Sequence, residues 1–210
     1  MKDIIEIDNI ITQSYQDQIE SQVTEKTFPW YYNPTMVADQ ILQHDIDYNL
    51  SGFHHFLYED AQAVSPFFNF LYPLVLSIQD NVDIPMKHSI ERMRLNMSLR
   101  YKGSTRDHHL PHIDSLYEHW NAIYYVNDSD GDTVIFEETN ETFDSNDLDY
   151  IENHTFTPLH RVTPKKGKLL VFNGKYYHAS SFCQQSRHRI VLNINFADIK
   201  KYINTGTDVF

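Results

Sequence analysis

Glycine is scarce: six of 210 residues, well under the usual share of about 7%. No Gly-x-Gly-x-x-Gly occurs, and Gly167 and Gly174-Lys175 have the wrong spacing for a phosphate loop. Nucleotide chemistry therefore has no support. Cysteine is scarcer still. Cys183 stands alone, which excludes an internal disulfide and fits a reducing, cytoplasmic (intracellular) setting. No run approaches the roughly 18–20 apolar residues of a membrane span. The N-terminal Met-Lys-Asp-Ile-Ile-Glu-Ile-Asp has acidic residues inside its apolar pattern, unlike a signal peptide. Basic residues are outnumbered 17 to 29, giving a formal net charge of −12. So negative a surface repels phosphate backbones, and neither a nucleic-acid nor a membrane partner is expected.

What is present is apolar and aromatic. Hydrophobic residues at 41% and aromatics at 14% can supply a sizeable core, and 210 residues suit one domain. No internal repeat or linker divides the chain. Residues 3–11 suggest a first strand, and 12–26 have weak helical spacing. Phe28-Pro29-Trp30-Tyr31-Tyr32 is expected to plug one end of the core, or alternatively to line a substrate entrance. The stretch 33–60 reads as irregular, with room for a short strand. Ser65-Pro66 before Phe67, Phe68, Phe70, Leu71, Leu74, Val75 and Ile78 predicts a helix with Ser65 as N-cap and Pro66 as first helical residue. Pro73 would kink or break it.

After Pro85 the period changes to two. Met93, Leu95, Met97, Leu99 and Tyr101 share one face of a strand, and Arg94, Asn96, Ser98 and Arg100 the other. Further strands are predicted at 120–126 and 133–136, with Asp130-Gly131 turn chemistry between them. Others fall at 169–172 and 187–196, and 137–153 reads as an acidic loop. Short strands at turn-rich spacing behind N-terminal helices imply a mainly β fold, a sandwich or barrel with flanking helices.

The chemistry centres on Leu110-Pro-His-Ile-Asp114. On an extended backbone His112 and Asp114, two apart, point to the same side and can converge on one metal ion. His178, in Tyr-Tyr-His-Ala-Ser-Ser, is the best third ligand. Two His and one carboxylate on one face, with the opposite positions open, is the arrangement of non-haem Fe(II) oxygenases. Such a site needs an electron source. A keto acid such as 2-oxoglutarate supplies one, and its far carboxylate needs a buried cation, for which the planar fork of Arg is suited. Arg187 and Arg189 follow His178 by nine and eleven residues and share a strand face with Val191 and Asn193.

From Met93 to Phe196 the chain resembles the Fe(II)/2-oxoglutarate dioxygenases, the prolyl-4-hydroxylase-like branch in particular. Tyr101-Lys-Gly precedes His112-Ile-Asp114, followed by Ala122-Ile-Tyr-Tyr125-Val-Asn127 and Asp130-Gly-Asp-Thr-Val-Ile-Phe136. Pro164-Lys-Lys-Gly-Lys-Leu-Leu-Val-Phe172 leads to His178, and Arg189-Ile-Val-Leu-Asn-Ile-Asn195 closes the series. The resemblance implies a double-stranded β-helix (jelly roll, cupin-like) at 91–200, supported by 1–90, within one domain spanning 1–210. It implies iron ligation by His112, Asp114 and His178. Arg189 would salt-bridge the distal carboxylate of 2-oxoglutarate, with Arg187 the alternative. Tyr125 would hydrogen-bond that carboxylate, and Tyr101 would line the pocket. Fe(II), 2-oxoglutarate and O2 would be required, with ascorbate as a stimulating reductant. Two departures stand out: Asp132 replaces the family's second turn glycine, and the anchor position is Arg where part of the branch has Lys.

The implied reaction is hydroxylation of a C–H bond with release of succinate and CO2. A protein or peptide side chain, proline first, is the leading substrate, and a free amino acid or metabolite the alternative. From another class, a non-catalytic cupin-like module holding zinc or a sugar has to be weighed. Imidazoles bind metal only when neutral, so activity should fall under mildly acidic conditions. His108-His109 read as a solvated loop, His119, His154, His160 and His188 as ordinary, and Cys183 as a turn residue without a base to activate it.

Overall fold

The structure is a computed structural model, and it describes residues 2–34, 51–85, 87–103, 107–115, 117–142, 151 and 153–198. The elements in order are β1 (Ile4–Ile7), α1 (Gln13–Thr24), β2 (Tyr31–Asn33), β3 (Gly52–Glu59), β4 (Gln62–Ala63), α2 (Phe68–Asn81) and β5 (Ile90–Leu99). There follow β6 (His119–Tyr125), β7 (Thr133–Thr139), β8 (Pro158–Val162), β9 (Leu169–Asn173), β10 (Tyr176–Ser180) and β11 (His188–Ala197). The large sheet runs β1-β9-β6-β11-β5-β3-β2, with β4 beside β3; the small sheet runs β10-β7-β8. Every pairing is antiparallel. Isolated bridges His108–Ser181 and His112–His178 lay the segment before Asp114 along β10. It acts as an irregular fourth member of the small sheet, and the two sheets face each other as a double-stranded β-helix.

Alternation along the strands decides what each face carries. Ile190, Leu192, Ile194 and Phe196 of β11, with Met93 and Leu95 of β5, join the main core. That core also takes Ile19 and Val23 of α1 and Leu71, Leu74, Val75 and Ile78 of α2, so both helices cover the outer face of the large sheet. Each such fully buried side chain contributes about 1.5–3 kcal/mol. The opposite residues of β5 and β11 point between the sheets. Ser98 pairs with Arg189, Asn96 with Val191, Arg94 with Asn193 and Arg92 with Asn195. The polar face of β5 is thus turned inward, not to bulk water.

Several expectations need correction. Ser65 does not cap α2. Its Oγ accepts the Phe67 N–H at 3.1 Å and meets His55 Nε2 at 2.7 Å, and the helix begins two residues past Pro66, at Phe68. Nor does Pro73 end α2, which continues to Asn81, because the buried face against the sheet outweighs the lost backbone bond. The stretch 33–60 holds an eight-residue strand, β3, while 35–50 lies outside the described residues. Strands β6 and β7 do not form a hairpin about Asp130-Gly131, since they belong to opposite sheets. Residues 137–139 belong to β7, and 143–150 and 152 are outside the described residues. Phe28 is buried against Trp30, His55 and Phe67, but Tyr31 and Tyr32 are exposed. No helix among the described residues is long and apolar enough to cross a membrane.

Candidate metal centre

His112 and His178 face each other across the bridge between the sheet-edge segment and β10. Each donates its backbone N–H to the other's carbonyl at 3.0 Å, which sets the rings 4.5 Å apart, centroid to centroid. Asp114, two residues on, turns to the same side. His112 Nε2 lies 3.8 Å from Asp114 Oδ1 and His178 Nε2 3.7 Å from Oδ2. The candidate ligating atoms of the three residues all lie within 4.8 Å of one another.

The tautomers are fixed from behind. His112 Nδ1 donates to the Leu110 carbonyl at 3.2 Å, and His178 Nδ1 to that of Tyr176 at 3.4 Å. A carbonyl only accepts, so each Nδ1 carries the proton and each Nε2 presents a lone pair. Burial, with His112 alongside, pushes the His178 imidazole down to about 3, and burial lowers His112 too. Burial alone would raise the Asp114 carboxyl, but the neighbouring His178, Arg92, His112 and Arg94 outweigh it and hold it well below the usual carboxylate range. Three electron-rich donors thus face one another with no proton between them. A cation relieves that arrangement, and a divalent metal ion fits the donor set.

Asp114 is held firmly. Asn193 Nδ2 and Asn195 Nδ2 donate to its Oδ2 at 3.1 and 3.0 Å. Arg92 Nη2 lies 3.4 Å from Oδ1, and Arg92 Nε donates to Asn195 Oδ1 at 3.2 Å. Sequence reasoning missed this cradle. Its signal was the inward parity that β11 gives Arg189, Val191, Asn193 and Asn195.

A cavity adjoins the centre, and His112, Asp114, His178 and Arg189 all line it. Arg189 is buried; its Nη2 donates to Thr133 Oγ1 at 2.8 Å, and burial lowers its pKa from the ordinary guanidinium value. Tyr125, pushed up to about 12 by burial, donates its hydroxyl to the same Oγ1 at 2.8 Å. Both lone pairs of Thr133 are then occupied, which leaves its own proton to donate into the cavity. Thr133 is therefore a cavity-wall residue that the sequence did not reveal, with Tyr125 hydrogen-bonded behind it and its ring 5.7 Å from the Arg189 guanidinium. Arg187 is exposed, just ahead of β11. Tyr101 packs against Phe182 at 5.9 Å and lies off the cavity wall.

His109 is not in a solvated loop, contrary to expectation. It is buried against Phe182 at 4.4 Å and lines the cavity, and burial lowers it to about 3. His108 meets Phe136 at 5.0 Å. His154 and His160 pair with Glu138 and Glu6, and His119 is buried with Nδ1 2.7 Å from the Tyr117 carbonyl. Cys183 is buried 3.3 Å from Ser129 Oγ, and burial raises its thiol, so it is no poised nucleophile. Asp132, the departure from the family turn, faces Arg161 Nη1 at 3.5 Å.

Four buried polar atoms of cavity residues have no hydrogen-bond partner among the described residues: Arg94 Nε, Arg189 Nε, His109 Nδ1 and Asn193 Oδ1. Buried polar atoms are rarely left so. Their concentration beside the three donors marks the cavity as a place for a polar ligand.

No protein-family model matches the sequence, and no curated protein does. Solved structures match it by fold. A 2OG-Fe(II) oxygenase family oxidoreductase from Burkholderia pseudomallei superposes with a TM-score of 0.60 at 12% identity, covering 92% of this chain and 85% of its own. A prolyl hydroxylase from Trichoplax adhaerens, solved with a hypoxia inducible factor oxygen degradation domain peptide, gives 0.62 at 11% identity, over 98% and 88%. SnoN, a non-heme alpha ketoglutarate dependent epimerase from nogalamycin biosynthesis, gives 0.57 at 8% identity, over 94% and 79%. The chain has the fold of the 2OG-Fe(II) oxygenases, a fold that serves both prolyl hydroxylases and small-molecule biosynthetic enzymes.

Proposed function

We propose that this protein is a 2-oxoglutarate-dependent non-haem Fe(II) dioxygenase that hydroxylates a C–H bond. The observation that carries this reading is the convergence of two neutral imidazole Nε2 atoms and one carboxylate beside a buried arginine in one cavity. His112, Asp114 and His178 would hold Fe(II). Bound Fe(II) with 2-oxoglutarate and O2 supplies the oxidation that yields succinate, CO2 and a hydroxylated product.

The chain's own residues supply position and charge. Arg189 would pair with the distal carboxylate of 2-oxoglutarate through its unpartnered Nε edge, with Thr133 donating alongside and Tyr125 fixing Thr133. Arg187, exposed, is not in a place to do so. The Asn193 and Asn195 amides would keep Asp114 aimed. A prolyl side chain in a protein or peptide is supported as substrate by the likeness to the peptide-bound Trichoplax enzyme. A small-molecule substrate is supported by the unpartnered cavity atom Arg94 Nε.

Anaerobic titration of the metal-free protein with Fe(II) and 2-oxoglutarate tests the proposal through the weak visible charge-transfer band of the chelate. The expected band disappears in His112→Ala and weakens in Arg189→Ala, while Arg187→Ala retains it. No band in folded wild-type protein would overturn the oxygenase reading and favour a binding module.

A further inference from the structure

Arg94 touches none of the three donors of that centre through a hydrogen bond, though its charge helps hold Asp114 ionised. It sits on β5, between Asn193 of β11 and Phe56 of β3 in the ladder, and lines the cavity. Its Nε is buried without a partner, and no hydrogen bond or ion pair to its guanidinium occurs among the described residues. The nearby carboxylates do not serve it. Asp114 is committed to the two histidines, Asn193, Asn195 and Arg92, and Glu59 acts only at longer range. A half-buried guanidinium whose Nε is fully buried and unpaired is costly to keep.

Charge balance sharpens the point, on the reading of the preceding subsection. A divalent ion, Asp114, Arg189 and a dianionic cosubstrate cancel. Arg92 borders Asp114 with its side chain a quarter exposed, so that water screens its charge. Arg94 lines the cavity with a further positive charge that no carboxylate meets in a hydrogen bond. We infer that Arg94 is the anchor for a substrate carboxylate, and that the substrate is a small organic acid, the class that includes free amino acids, rather than an internal residue of a peptide chain. An internal prolyl residue brings no anion to this position, whereas a free carboxylate matches the planar fork in two hydrogen bonds.

The test uses thermal melts of protein loaded anaerobically with Mn(II) and 2-oxoglutarate. Sodium acetate is the probe, titrated against sodium chloride at constant ionic strength. Wild type is expected to gain a saturable rise in Tm from acetate. Arg94→Met and Arg94→Gln should lose it, while Arg94→Lys should keep part of it. Absence of the rise in wild type, or its persistence in both neutral variants, would overturn the proposal. A larger response to inorganic phosphate than to acetate would overturn the carboxylate assignment. Arg94→Gln guards against a misfolded Met variant, since each melt must remain cooperative to count. Failure of the oxygenase reading shows separately, as loss of the Tm rise from 2-oxoglutarate itself in wild type. Arg189→Met should lose that rise while Arg94→Met retains it.

Discussion

Asp114 stays ionised in a buried place because the His178, Arg92, His112 and Arg94 side chains lie about it, and two asparagine amides hold its Oδ2. Support of this kind is expected to matter as much as the ligand itself. Asn195→Ala removes one donor to Oδ2 and the acceptor of Arg92 Nε. It should weaken Mn(II) binding by about 10-fold or more, read by EPR of the free ion, with the cooperative melt retained. Gly131 tests the cosubstrate side. A Cβ there would lie 2.8 Å from Cys183 Sγ and 3.1 Å from Arg189 Cδ. Gly131→Ala should therefore push Arg189 out of place and weaken 2-oxoglutarate binding by roughly an order of magnitude, about 1.4 kcal/mol, with Mn(II) affinity little changed; titration calorimetry separates the two. At this scale the sequence was readable where partners are neighbours. His112 and Asp114 announce themselves by their spacing. Thr133 and Asn195 do not, because their partners lie 56 and 81 residues away and only the fold brings them together.

Strands β5 and β11 were legible for the same reason that they are useful. Strict alternation gives each strand one apolar face for the core and one polar face for the cavity. What alternation could not say is that the polar face also points inward. Strand β8 was not foreseen, since it opens on Pro158 at the edge of the small sheet, a place where a missing N–H costs little. Strand β10 was not foreseen either, being five residues long and mostly buried, which leaves too little contrast for a period to show. The start of α2 was misread because Ser65 spends its hydroxyl on the turn and on His55. Leu192 probes the element that joins core and cavity. It is fully buried, and Leu192→Ala should cost about 2–5 kcal/mol, measured as a lower urea midpoint with unchanged slope. A loss below about 1 kcal/mol would mean that β11 does not carry the core.

For the whole molecule, acid is the telling variable. Burial comes first among the causes that hold His109 and His178 down to about 3 and lower His112. In the unfolded chain all three take up protons near pH 6.5. Between those limits the unfolded state binds more protons, so stability rises with pH. It is fully present above about pH 6.5 and is lost progressively as pH falls toward 3. Urea unfolding of metal-free protein should show a steep decline from pH 6.5 to 4.5, with uptake from His109 and His178 and a further contribution from His112, and about one proton fewer in His178→Phe. A flat midpoint would contradict the burial of these imidazoles. Proton competition for the metal accordingly sets in at lower pH than ordinary histidines would suggest. The order of strands has a consequence of its own. Strand β11 lies in the middle of the large sheet, yet it is the last strand of the described chain. During synthesis, everything up to β10 emerges while the long flanks of β5 and β6 still lack the strand that separates them. The nascent protein therefore waits with two open edges, and a ribosome stalled before residue 188 would leave a chain prone to pair with its neighbours.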